Sequence, residues 1–317
     1  MDIPLTVTGS VERVSEREVL AVGSGFGESV AALRLAEKGY RVTVVETGRR
    51  WQQQDFAGSA WQVHRVLWAP WLGWQGILRL RVRRRLVALT GIGVGGGSLA
   101  YAGVHYRPDA DVFRAACWDP TVNWGRELAP YYALAERMLG TAQVARAAAG
   151  DAALRKAAEA LGMADSVHAT RVGIHFGPPG QKVADPYFAG RGPSRAGCTE
   201  CGRCTIGCQL GAKNSLDHNY LYLAEQLGVD VRPLTTARAL VPLPDGSWQV
   251  HTVHGRGAGQ RPCDADGASC CPRRRCLGHR RAAAPPFAAV LVPAVARARH
   301  HRANEPGGVR HRVGAGI

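Results

Sequence analysis

The most constraining feature of this chain is the run Gly23-Ser24-Gly25-Phe26-Gly27-Glu28, because of what stands on either side of it. Residues 19–22 are a short apolar run and read as a buried strand. From Phe26 to Lys38 the apolar residues Val30, Leu33, Leu35 and Ala36 recur at helical spacing, and Gly39 sits where a glycine stops a helix. Residues 41–46 are β-branched and apolar, a second strand. Strand, glycine turn, helix and strand make a βαβ unit, hence a parallel sheet and an α/β fold. In such a unit Gly23 permits the tight turn, and Gly25 lets backbone approach a pyrophosphate at the helix N-terminus. Glu46 ends the second strand 23 residues after Gly23, near the spacing at which an acid accepts ribose hydroxyls. The pattern predicts a site for an adenine dinucleotide. Its sixth position is ordinarily glycine, for close helix–strand packing, and Glu28 stands there instead.

A second glycine run follows at Gly91-Ile92-Gly93-Val94-Gly95-Gly96-Gly97-Ser98-Leu99. So many glycines cost chain entropy and make sense where backbone must lie against a flat ring or a pyrophosphate. Linkers rarely carry Ile and Val between their glycines.

Taken with residues 23–50 and Trp68-Ala69-Pro70, the run from Gly93 through Ala100-Tyr101-Ala102 resembles the glucose–methanol–choline (GMC) family of oxidoreductases, in its bacterial cholesterol-oxidase-like branch. The similarity continues through Trp124-Gly125-Arg126-Glu127-Leu128, Asp185-Pro186-Tyr187-Phe188 and residues 198–216, to about Val253. The resemblance implies a Rossmann-like FAD-binding domain of the GMC type over residues 1–255, incomplete and with part of a substrate domain. It implies FAD held by Gly23, Gly25 and Glu46, with Gly95, Gly96, Gly97 and Ser98 lining the flavin. It also implies oxidation of an alcohol, a 3β-hydroxysterol or a comparably bulky one, by hydride transfer to the flavin. Two positions depart from the family pattern: Glu28 brings a carboxylate towards the phosphates, and Gly103 replaces an asparagine. The family's general base is a histidine near its C-terminus. Nothing after His254 resembles that region, so no catalytic residue is assigned, and the chain is expected not to oxidise sterols.

Cysteines cluster as Cys198-x2-Cys201-x2-Cys204-x3-Cys208, the spacing of a bacterial ferredoxin run without its following proline. Thiolates so spaced can hold a 4Fe–4S cluster or zinc, or the run can be a loop without metal. Cys117 reads as a small buried hydrophobe. Residues 61–85 interleave Trp61, Trp68, Trp71 and Trp74 with the basic run 79–85. They read as peripheral membrane contact or as a cover packed on the domain.

The formal net charge is +15, and residues 251–317 hold 12 of the 40 Lys+Arg but only 3 of the 25 Asp+Glu. More than half of the excess therefore lies in the tail, which argues against a nucleic-acid-binding face. The tail, 256–317, is rich in Arg, Ala, Pro, Gly and His and shows no sustained period. It is expected to be disordered or read in a shifted frame. No secretory leader or ~18-residue apolar run is visible. The expectation is a cytoplasmic chain, free or membrane-associated, with thiols rather than disulfides. Two readings compete with an alcohol oxidoreductase: an electron-transfer module using FAD and an iron–sulfur cluster, and a basic membrane- or nucleic-acid-binding protein.

Overall fold

The computed structural model describes residues 8–14, 18–144, 146–244, 247–255 and 291–293. The expected βαβ unit is present: β1 (Thr8–Val14) leads to β2 (Glu18–Val22), α1 (Phe26–Glu37) and β3 (Arg41–Val45). β2 and β3 pair in parallel, Glu18 opposite Arg41 through to Val22 opposite Val45. Val19, Leu20 and Ala21 are buried in β2, and Val42, Val44 and Val45 in β3. Strands covered on both faces need such near-continuous apolar runs.

α1 buries Ser29, Ala32 and Leu33, one stripe at helical spacing. It stops at Gly39, whose φ of +81° carries the chain out of the helix. There Gly39 N–H donates to Ala36 and Tyr40 N–H to Leu35, so the last carbonyls are satisfied.

Two antiparallel strands, β4 (Leu78–Arg83) and β5 (Leu86–Gly91), form a separate ribbon that leads into the second glycine run. α2 (Trp124–Met138) and α3 (Ala149–Ala160) occupy the Ala- and Leu-rich middle of the chain. α4 (Tyr220–Gln226) then returns to pack on α1. Leu216, Tyr220, Leu221 and Ala224 join Ala32, Leu33, Val42, Val44 and Val94 in the largest core cluster.

β6 (Asp230–Arg232) extends the sheet in parallel beside β3. β7 (Thr235–Pro242) and β8 (Trp248–His254) form a hairpin, and β1 pairs with the other edge of β8. β9 (Leu291–Pro293) lies antiparallel on β2, giving the order β6-β3-β2-β9. The turn residues Asp245 and Gly246 and most of 256–317, including Cys263, Cys270, Cys271 and Cys276, lie outside the described residues.

One expectation is corrected. Cys117 is exposed, not buried, because the 110–124 segment runs over the surface with its aromatic side chains packed on one another. The tryptophans of 61–85 divide: Trp68 is buried, while Trp61 is 92% and Trp71 53% exposed.

Candidate functional site

The site forms where β2 runs into α1. Gly23 turns with φ of +102° and donates its N–H to the Val45 carbonyl at 2.8 Å, locking the turn onto β3. Gly25 precedes the first helical residue without any side-chain cap. The N–H groups of the first helical turn have no intrahelical acceptor, and the helix dipole adds partial positive charge there. Backbone of this kind binds anions without side chains.

The second glycine run lies directly on the first. A Cβ at Gly96 would stand 2.9 Å from the Gly25 Cα, so only glycine permits this approach. Gly97 is exposed, with open space on its side-chain face. The structure thus brings Gly23, Gly25, Gly95, Gly96 and Gly97 together, although the two runs are about 70 residues apart.

Two residues of the expected set face inward instead. Ser98 is fully buried; its hydroxyl donates to the Gly95 carbonyl at 2.6 Å and accepts the Leu216 N–H at 2.9 Å. It holds the turn and does not line the open face. Glu46 is buried too, with protein donors around both carboxylate oxygens. Burial pushes its carboxyl above the usual range, while hydrogen bonds from Gly48, Ser24 and Gly93 pull the other way. Glu28 leans back over the turn: a Cβ at Gly25 would stand 3.2 Å from its carboxylate.

Among the described residues, no three His, Cys, Asp or Glu side chains are placed to hold an ion. Cys198, Cys201, Cys204 and Cys208 line a cavity of about 230 Å³ together with Val172, Ile174 and Phe176. Lys213 lines the same cavity. Its buried ammonium donates to the carbonyls of Cys204 (2.6 Å), Leu99 (2.7 Å) and Tyr101 (3.2 Å). The ammonium thus joins the cysteine loop to the end of the second glycine run.

Burial pulls Lys213 down to about 8. Burial pushes Cys198 and Cys204 up, while Arg203 beside Cys201 outweighs that thiol's slight burial and brings it down. Arg195 is buried and donates to the Lys213 carbonyl at 2.8 Å and to the Asn214 side chain. A Tyr101–His105–Thr141 chain of hydrogen bonds, at 3.1 and 2.7 Å, lies beyond it.

Sequence reasoning missed Ser24, Gly48, Lys213 and Arg195. Ser24 and Gly48 sat within or beside the motifs and carried a signal. A buried lysine or arginine carries none, since the same residues usually mark solvated surface.

The fold and the paired glycine runs define a Rossmann-like dinucleotide site. No protein-family model matches the chain. Cholesterol oxidase of Mycobacterium tuberculosis is 47% identical over 241 residues, covering 74% of this chain and 42% of the relative. Cholesterol oxidase of Acinetobacter baumannii is 42% identical over 230 residues, covering 68% and 41%. An uncharacterized GMC-type oxidoreductase of M. tuberculosis is 30% identical over 232 residues, covering 69% and 32%. Among solved structures, an L-amino acid deaminase from Proteus myxofaciens aligns with 77% of this chain and 47% of its own, at 13% identity and a TM-score of 0.23.

The chain belongs to the GMC-type oxidoreductases, and FAD is the cofactor that follows from the family. It spans about two fifths of the length of the cholesterol oxidases it matches. The glycine cradle fits the diphosphate of FAD: the α1 N-terminus is uncapped, and Glu28 is the side chain that a Cβ at Gly23 or Gly25 would meet within 4 Å. The inward-facing Glu46 does not fit the ribose in the same way.

Proposed function

We propose that this chain supplies the FAD-binding part of an alcohol oxidoreductase whose substrate is a 3β-hydroxysterol or a comparably bulky alcohol. One observation carries the reading. Two glycine runs far apart in sequence meet backbone to backbone, Gly96 on Gly25, at the N-terminus of α1. A plain NAD site needs only the first run. The sterol rests on the similarity to cholesterol oxidases.

Bound there, FAD would supply the acceptor for the hydride leaving the carbinol carbon. This chain's residues hold and shield it. The α1 amides would take the diphosphate, and Gly97, exposed and with open space where a side chain would stand, would present bare backbone to the ring system. No catalytic base is assigned among the described residues.

The test is a fluorescence titration of the purified chain. FAD should bind at least tenfold more tightly than NADH, a difference of about 1.4 kcal/mol. Micromolar NADH binding with no flavin uptake would overturn the proposal. The iron–sulfur reading gains no support from the geometry of the four thiols.

The ribbon β4–β5 supports one further element of the reading, peripheral contact with a lipid surface. Its strands place Leu80, Val82, Val87 and Leu89 on one face, all well exposed.

A further inference from the structure

The Glu46 carboxylate looks into the protein. It is 6% exposed and accepts four donors. The Ser24 amide and hydroxyl reach Oε2 at 3.1 and 2.8 Å; the Gly48 and Gly93 amides reach Oε1 at 2.8 and 3.3 Å. A carboxylate offers about four lone-pair sites, and the chain fills them all.

Ser24, fully buried, extends the arrangement. Its Oγ accepts the Gly95 amide at 3.1 Å and lies 3.2 Å from the Gly93 carbonyl. The single hydroxyl proton favours Glu46, the shorter and charged acceptor. One acid–hydroxyl pair thereby joins three backbone turns, at 23–25, 46–48 and 93–95. Gly48 makes the closeness possible, since a Cβ there would stand 2.3 Å from the Gly93 nitrogen.

We propose that Glu46 and Ser24 are positioning residues that clamp the second glycine run onto the first, and that Glu46 does not take the adenosine ribose hydroxyls in this chain. The inference rests on the FAD reading of this same site. A ribose hydroxyl entering the Glu46 shell would displace a backbone N–H and strand it in the interior.

The test uses the full chain and calorimetric titration with ADP, 2′-deoxy-ADP and 3′-deoxy-ADP. Wild type is compared with Glu46→Gln, Ser24→Ala and a core control, Leu221→Ala, in α4. Removing either ribose hydroxyl should change affinity by the same factor, within twofold, in wild type and Glu46→Gln. Both clamp variants should bind all three nucleotides at least fivefold more weakly, whereas the folded Leu221→Ala control should bind like wild type. If Glu46→Gln weakens ADP but leaves a deoxy-nucleotide untouched, the acid contacts the ribose and the proposal falls. It also falls if Ser24→Ala binds like wild type.

Amide hydrogen exchange on the ligand-free chain judges the clamp separately. The Gly95 amide should exchange at least tenfold faster in Ser24→Ala, and the Gly48 and Gly93 amides in Glu46→Gln if that variant folds. Unchanged protection overturns the clamp. If wild type binds no ADP, the FAD reading fails, and exchange alone decides the clamp.

Discussion

Glu28 puts a carboxylate where the glycine fingerprint ordinarily puts nothing. Its side chain lies across the turn, within about 4 Å of where a Cβ at Gly23 or Gly25 would be. Two effects of the substitution Glu28→Gly oppose each other. An acid in the first turn of a helix favours the helix by about 0.3–1 kcal/mol, and glycine costs a further ~0.5–1 kcal/mol there. The ligand-free chain should therefore lose thermal stability. A diphosphate at the same helix end meets the carboxylate as a like charge, worth about 1 kcal/mol at a partly exposed position. FAD affinity should accordingly rise about three- to tenfold in Glu28→Gly by fluorescence titration. Equal affinity in the two proteins would show that the carboxylate swings clear of the phosphates. The residue scale is also where sequence reading went furthest and then failed. The glycines were legible because only glycine tolerates such turns and approaches. The direction in which Ser98 and Glu46 face was not, because either residue type serves a ligand or a buried turn equally well.

At the scale of elements, β2, α1, β3, α4 and β6 were legible to within a residue or two, since each carries an unbroken apolar period. The join between elements was not. Lys213 ties the end of the second glycine run, through the Leu99 and Tyr101 carbonyls, to the cysteine loop, through that of Cys204. Replacing it with methionine, which keeps its volume, leaves three carbonyls without that donor. Lys213→Met should destabilise the chain by roughly 1–3 kcal/mol at pH 7.

Its pH dependence has a definite sign. The folded-state value is about 8, against 10.5 for an ordinary lysine. Between these values the unfolded chain holds a proton that the folded chain has released. Stability from this group therefore rises with pH across the window and is flat below it. The wild-type advantage over Lys213→Met should grow between pH 8 and 10 by up to about 1.4 kcal/mol per unit. Above pH 10 the buried Tyr101 phenol, held above its ordinary value, acts with the opposite sign. Denaturant midpoints at pH 7, 8, 9 and 10 would measure the difference. A constant gap would mean that Lys213 stays charged in the folded chain throughout, whereas a gap already growing at full slope between pH 7 and 8 would mean that it is neutral at pH 7.

For the whole molecule, the sequence shows how much basic charge there is but not which surface uses it. The net +15 sits largely in the tail, whereas the ribbon β4–β5 pairs its basic residues with an apolar face. Strand alternation puts Arg79, Arg81 and Arg83 on the side opposite Leu80 and Val82, with Arg84 and Arg85 at the tip. Leu80 is 47% exposed and Val82, Val87 and Leu89 between 59% and 67%. No described helix is long and apolar enough to cross a membrane.

A ribbon that lays its apolar face into a lipid interface gains about 1 kcal/mol per half-exposed aliphatic side chain, and Arg84 and Arg85 at its tip add about 1 kcal/mol each near an anionic surface. Two surfaces with different chemistry should then separate in experiment. Vesicles of phosphatidylcholine and phosphatidylserine should capture the chain in flotation. Serine at Leu80, Val82, Val87 and Leu89 together should lower that partition by about a hundredfold or more, with FAD binding unchanged. Heparin retention should respond the other way, falling when residues 256–317 are removed and holding when the four serines are introduced. If vesicle binding instead follows the tail and ignores the ribbon, the apolar face serves a protein contact, and the membrane role assigned to residues 61–85 is wrong.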